Sequence, residues 1–241
     1  MSGGDTREQR FSVAGKGYKN IIANYGAGKG NKLIIGAHYD AVSGSPGADD
    51  NASGVAALLV LGGVLGGLPN LVREVELVAY TLEEPPFFGS KYMGSAIHAC
   101  NLSSEATKPV GVIVLDSIGY FSSEHGSQID SILLGTSDVG DFISVAGRTS
   151  QAEWVNRVAS AMQAAGTIPV EIIIRDPNDL PAVDFSDHSN YYEYGIPSLL
   201  VTDTAFCRNP TYHTAADKCD LLDFGRLSGV VCGLLQAVTL V

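Results

Sequence analysis

Short apolar runs alternate along this chain with longer segments of mixed polarity, and the alternation predicts its elements in order. Residues 18–25 and 32–38 read as strands separated by the glycine-rich turn 26–30. Residues 51–68 read as a helix and 72–81 as a strand, followed by a helix over 89–100 and a strand over 109–116. The pattern then predicts a strand over 129–134, mostly helix over 139–165 and a strand over 170–174. A short helix over 188–194 stops at Gly195, a common helix terminator. A last core strand over 197–202 and a last helix over 221–240 complete the chain. Strands that alternate with helices imply a mixed, mostly parallel central sheet covered on both faces, an α/β fold in three layers. No linker, low-complexity tract or repeat breaks the pattern, so residues 1–241 are expected to form a single domain.

The polar positions that end the apolar runs carry the chemistry. His38 follows Leu33-Ile34-Ile35, Glu83-Glu84 follows the run from Val75, Asp116 ends Val112-Ile113-Val114-Leu115, and His213 comes after Leu199-Leu200-Val201. Buried strands that end in such residues bring them together along one edge of a sheet, where open α/β folds place their ligands. Two imidazoles with several carboxylates form a zinc-type donor set. Asp40 lies two residues beyond His38 and can accept the second ring N–H of that imidazole, fixing its tautomer. In 45–54, Asp49, Asp50 and Asn51 lead straight into a helix. They read either as helix caps or, beside a His-x-Asp strand end, as metal-site residues. Two adjacent buried carboxylates at Glu83-Glu84 would be costly without cations. On an extended backbone they diverge, so one can bind metal while the other serves a metal-activated water as general base.

Composition narrows the partners. Hydrophobic residues make up 45% of the chain and charged residues 17%, so disorder is not expected. The net charge is −11, and no Lys/Arg run exceeds two residues. Nucleic acid and anionic membranes are therefore not expected as partners. Residues 51–72 carry no charge over the length of a membrane span, yet the apolar part, 55–68, contains four glycines and is followed by Pro69 and Asn70, and a helix buried against the sheet is expected. The start at residues 1–5 has no basic region followed by an apolar core, so no signal peptide is expected in this chain. Cys100, Cys207, Cys219 and Cys232 show no C-x-x-C spacing. They read as reduced thiols, or as two thiols and a disulfide between Cys207 and Cys219, six residues either side of His213.

Five segments together resemble the co-catalytic di-zinc aminopeptidases. They are GAHYDAVSGSPGADDNASG (36–54), TLEEPPFFGS (81–90), VIVLDSIG (112–119), FSDHSNYYEYGIPSLL (185–200) and YHTAAD (212–217), and the similarity spans about residues 18–240. The same superfamily holds glutamate carboxypeptidases, glutaminyl cyclases and metal-free receptor relatives. Five motifs matching in order are far more specific than one. The resemblance implies a zinc-exopeptidase fold, two zinc ions and a peptide substrate with a free N-terminus. It implies that Asp50 bridges the metals, that His38 and Asp116 complete one and Glu84 and His213 the other, and that Asp49 is no ligand. Glu83 would be the general base, Asp40 the partner of His38, Tyr212 the hydroxyl donor to the oxyanion, and Asp187 a support from behind. The resemblance also implies a cis peptide between Asp50 and Asn51.

The chain departs from that pattern at Pro85-Pro86-Phe87-Phe88, where relatives carry a short Gly/Leu segment. The segment reads either as a rigid loop or as an aromatic wall of the substrate pocket. Phe185 stands where some relatives place an arginine for a substrate carboxylate, so carboxypeptidase activity falls in rank. Phe185, Phe206 and Tyr212 are candidates to line a pocket for an apolar first residue. The alternatives are a single-zinc glutaminyl cyclase and a non-catalytic protein on a peptidase fold. The complete ligand set with Glu83 argues against the latter.

Overall fold

The computed structural model describes residues 4–105 and 107–241. Residues 1–3, part of the segment read as lacking a leader, lie outside the described residues. Eight strands form one sheet in the order β1-β2-β4-β3-β5-β8-β6-β7. They are β1 (Asp5–Val13), β2 (Lys16–Tyr25), β3 (Leu33–His38), β4 (Val75–Tyr80), β5 (Gly111–Leu115), β6 (Ile143–Arg148), β7 (Val170–Arg175) and β8 (Ser198–Thr202). The central pairs β4-β3, β3-β5 and β5-β8 are parallel, as is β6-β7, whereas β1-β2, β2-β4 and β6-β8 are antiparallel. The sheet is thus mixed and mostly parallel at its centre.

Alternation along the central strands explains the layers. Leu33 and Ile35 of β3 face one apolar cluster, with Leu58, Leu61 and Leu65 of α1 (Gly54–Gly67), Val155 and Val158 of α4 (Ala152–Ala165), and Leu234 of α5 (Phe224–Leu240). Ile34 faces the opposite cluster, with Ala99 and Leu102 of α2 (Gly94–Ser103) and Tyr191 of the 3-10 segment Asp187–Tyr194. The two sides of the pleat therefore bury separate cores against helices, and the fold is a three-layer αβα sandwich.

Topology makes one crevice special. From β3 the chain moves to β4 on one side, then crosses back to β5 on the other. The C-terminal ends of β3 and β5 consequently flank a topological switch point, where open α/β sheets leave room for ligands. His38 ends β3, and Asp116 directly follows β5.

Several expectations need correction. Strand β1 was not anticipated, because DTREQRFSV is mostly polar; it is an edge strand whose residues are largely exposed. The strand expected over 129–134 is a single helical turn, α3 (Ser131–Leu134), flanked by Asp130 and Gly135 in the left-handed region. Its apolar residues mislead because Ile129, Ile132 and Leu133 are exposed. The helix expected over 139–165 begins only at Ala152, and Ile143–Arg148 is a strand buried on both faces, a run that periodicity alone does not separate from a buried helix. The helix expected from residue 89 starts at Gly94. No disulfide joins Cys207 and Cys219; Cys207 is a buried thiol and Cys219 an exposed one.

Segment Ala48–Gly67 is long and apolar enough to cross a membrane by length and composition, and half of it is buried within the fold. Helix α1 packs on β2, β3, β4 and α5, with Leu61 fully buried and Leu59 53% exposed. We expect Leu61→Ala to cost about 2–5 kcal/mol in urea unfolding. Leu59→Ala is expected to stay within about 0.5 kcal/mol of the parent, and equal losses from both would contradict the packing described.

Candidate active site

Every residue singled out for metal chemistry converges at the crevice. His38 is brought there by β3, Glu83-Glu84 by the turn after β4, and Asp116 by the end of β5. Asp50 comes from the kinked segment Ala48–Ser53 ahead of α1, and His213 from the loop after β8. Three of these turns need unusual backbone: Leu82 (φ 62°), Ser117 (φ 52°) and His213 (φ 59°) sit in the left-handed region. Such conformations in non-glycine residues gather where a site over-determines the chain. The Asp50–Asn51 peptide bond is cis, as the family resemblance implied.

The distances sort into two groups joined at Asp50. His38 Nε2 lies 3.1 Å from Asp50 Oδ1 and 3.5 Å from Asp116 Oδ1. His213 Nε2 lies 2.9 Å from Asp50 Oδ2 and 3.3 Å from Glu84 Oε2. Glu83 Oε2 stands 3.9 Å from His38 Nε2. His38, Asp50, Glu83 and Glu84 are buried. His38 Nε2, Asp50 Oδ2 and His213 Nε2 nevertheless have no hydrogen-bond partner of acceptable geometry. Converging donor atoms with no protein partner in a buried place fit a cation site. One atom each from His38, Asp50 and Glu84 lies within 4.8 Å of the others. The residues fit a metal, and zinc accepts this imidazole and carboxylate set.

The electrostatics point the same way. Burial works to lower the His38 imidazole, but the carboxylates of Glu83 and Asp116 outweigh it and raise its pKa well above the usual value. Burial pushes Glu83 well above the carboxylate range, with Asp116, Asp187 and Glu84 adding to the rise. Burial and the charge of Asp50 lift Glu84 to about 7. Asp50 goes the other way: burial is outweighed by His213 and His38, which hold it at about 2. Carboxylates outnumber imidazoles, an acidic surplus that a bound cation would offset.

The surrounding residues refine the expected roles. Nδ1 of His38 lies 3.0 Å from the carbonyl oxygen of Asp40, while the carboxylate of Asp40 is 3.9 Å away. The carboxylate that was expected to meet the ring instead accepts the backbone N–H groups of Glu83 and Glu84, each at 3.2 Å. Asp40 therefore fixes the double-glutamate turn. Asp187 is fully buried, accepts a hydrogen bond from Ser95 Oγ, and is raised to about 7 by burial. The Tyr212 ring stacks on His213 at 3.9 Å and 15°. Asn51 is not the N-cap of α1, which is Ser53; its Oδ1 accepts the Gly54 N–H at 3.1 Å, and its Nδ2 donates to the Leu115 carbonyl at 2.8 Å.

Sequence reasoning missed other contributors. Ser186 Oγ donates to Asp116 Oδ2 at 2.6 Å, and the Val42 N–H donates to Glu84 Oε1 at 3.0 Å. Ser186 lay inside a quoted motif, but a lone serine carries no signal of its partner. A cleft opens beside Asp116 and Tyr212. Leu134, Ile173, Val183 and Leu200 give it apolar walls, with Phe185 and Phe206 among its lining. Phe88 meets Phe185 edge to face at 6.0 Å, so the departing Pro-Pro-Phe-Phe segment does touch an aromatic of the cleft.

Fold and site together define an α/β protein with a metal-type donor cluster at its switch point. The model of peptidase family M28 matches residues 20–237, and the chain belongs to that family. It is 42% identical to the uncharacterised protein YfbL of Escherichia coli (strain K12), over 97% of this chain and 74% of YfbL. It is 26% identical to leucine aminopeptidase 1 of Uncinocarpus reesii, covering 88% of this chain and 51% of that protein. The chain thus spans about half the length of that aminopeptidase. Among solved structures the fold matches the zinc aminopeptidase BSAP of Bacillus subtilis with a TM-score of 0.69 and 23% identity, covering 93% of this chain and 50% of that one. It also matches the Porphyromonas gingivalis glutaminyl cyclase, with a TM-score of 0.72 and 21% identity over 98% and 83%.

Because a cation held by this cluster binds only the folded chain, zinc added to chelator-stripped protein should raise its melting temperature. At 100 times the dissociation constant the gain is about 2.7 kcal/mol. His213→Ala should shrink that shift in a thermal melt, and an unchanged shift would remove His213 from the ligands.

Proposed function

We propose that residues 1–241 are a single catalytic domain of a zinc-dependent aminopeptidase, hydrolysing the first peptide bond of peptides with a free N-terminus. The observation that carries this reading is Asp50. Its two oxygens face two different imidazoles, at 3.1 Å and 2.9 Å, and each imidazole has a further carboxylate of its own. His38 and Asp116 would hold one zinc, Glu84 and His213 the other, and Asp50 both. When bound, a zinc pair supplies Lewis-acid polarisation of the scissile carbonyl and a water acidified toward neutral pH.

The chain's own residues do the rest. Glu83 is the general base: burial raises its carboxyl well above the usual range, which makes it the stronger proton acceptor. It holds the proton of the attacking water at Oε2 and returns it to the leaving amine as the C–N bond breaks. Asp40 keeps Glu83 and Glu84 in place through their backbone N–H groups. Burial and neighbouring carboxylates push the Tyr212 hydroxyl far above its ordinary pKa, so it stays protonated and donates to the developing oxyanion. The surplus of carboxylates favours a substrate α-ammonium, and the cleft beside Asp116 accepts an apolar first side chain.

A glutaminyl cyclase with one zinc is the second reading, favoured by the fold's match to the Porphyromonas gingivalis enzyme over 83% of that chain. A panel of aminoacyl chromogenic amides, run beside a pyroglutamate assay on glutaminyl peptides, separates the two. We expect amide hydrolysis with apolar first residues preferred and two zinc equivalents by metal analysis. Saturation at one equivalent with pyroglutamate formation would favour the cyclase.

Glu83→Gln preserves shape and removes the proton acceptor. Turnover should fall by about 10²–10⁴-fold with both zinc equivalents retained. Near-parent turnover in a fully loaded variant would rule out Glu83 as the base.

A further inference from the structure

The turn that carries Asp50 is held by a buried carboxylate that none of the roles above uses. Asp217 lies four residues beyond His213 and is fully buried. Its Oδ1 accepts the backbone N–H of Asp49 at 2.9 Å, and its Oδ2 accepts that of Asp50 at 3.3 Å. Its main-chain oxygen accepts the N–H of Ala48 at 3.3 Å. Three consecutive N–H groups of one turn therefore end on a single residue of the His213 loop.

Asp49, also fully buried, extends the tie. Its Oδ1 accepts the N–H of Gly119, three residues beyond Asp116, at 2.9 Å. Its Oδ2 accepts the side-chain amide of Asn209, four residues before His213, at 2.9 Å. The segments bearing Asp50, Asp116 and His213 are thus joined through two carboxylates that belong to neither imidazole group. Sequence distance hides this, because Asp217 and Asp50 are 167 residues apart.

We propose that Asp217 is a positioning residue for Asp50, fixing the turn so that one carboxylate oxygen faces each imidazole. The inference rests on reading the cluster as a zinc centre. The chemistry requires an acceptor at both oxygens: two N–H donors converge on them, and a carboxylate is the side chain that accepts at both and donates at neither. An amide in its place would set an NH₂ group against one of those N–H groups. The turn would then rotate or leave a buried donor unsatisfied, and Asp50 would lose its shared orientation.

The test is Asp217→Asn in the full chain, with zinc affinity read by competition against a chromogenic chelator. The melting temperature of the metal-stripped protein is measured in parallel. Partners that orient metal ligands typically contribute 10–100-fold to affinity, and we expect a loss of about that size, with turnover returning as zinc is added and KM unchanged. Glu76→Gln is the control, since it removes a buried carboxylate bonded to His98 at 3.0 Å. It should lower the melting temperature without moving zinc affinity. If Asp217→Asn behaves like that control, Asp217 is only structural and the inference is overturned. Should Asp217→Asn fail to fold, Asp217→Ser, which can still accept one N–H, carries the same expectation and the same refutation. A parent protein that takes up no zinc would overturn this inference together with the zinc reading. Zinc uptake that neither substitution alters would overturn the inference alone.

Discussion

A single carboxylate placed between two imidazoles is the constraint around which the rest is arranged. Asp50 cannot face His38 and His213 at once unless β3, the entry to α1 and the loop after β8 all deliver their ends to one point. The sheet order supplies that point, because the crossing from β4 to β5 opens a crevice beside the end of β3. Charge then demands enclosure on specific terms. Burial pushes Glu83 and Glu84 up while the imidazoles hold Asp50 down, so neighbouring carboxyl groups sit in opposite electrostatic states within one pocket.

Hydrogen bonds from the backbone carry much of the precision. Asp40 accepts from Glu83 and Glu84, and Asn51 ties the start of α1 to the end of β5. Ser186 reaches Asp116 from the segment before Asp187–Tyr194. Apart from the local Asn51–Gly54 bond, each joins segments at least 43 residues apart that meet at the crevice.

The residues that meet at the crevice were more legible in the sequence than several of the elements around them. His38, Glu83, Glu84 and Asp116 announced themselves because each interrupts or ends an apolar run, and such runs are how buried parallel strands are written. Ile143–Arg148 was hidden for the same reason: a short apolar stretch buried on both faces has no period to distinguish strand from helix. β1 failed as a signal because an edge strand has little to bury, and Ile132 misled because it is apolar yet 97% exposed. The walls of the cleft were unreadable in a different way. Leu134, Ile173 and Val183 are ordinary apolar residues whose common address exists only after folding. Asp40 was placed beside the correct histidine, but its carboxylate turned toward backbone donors that no side-chain pattern reveals.

The stacked pair at the mouth has a mechanical implication. With their rings 3.9 Å apart and 15° from parallel, Tyr212 and His213 behave as one lamina hinged on a left-handed residue. Moving the phenol aside breaks that stack, at a cost of about 0.5–1.5 kcal/mol, and takes away one support of the imidazole that faces Asp50.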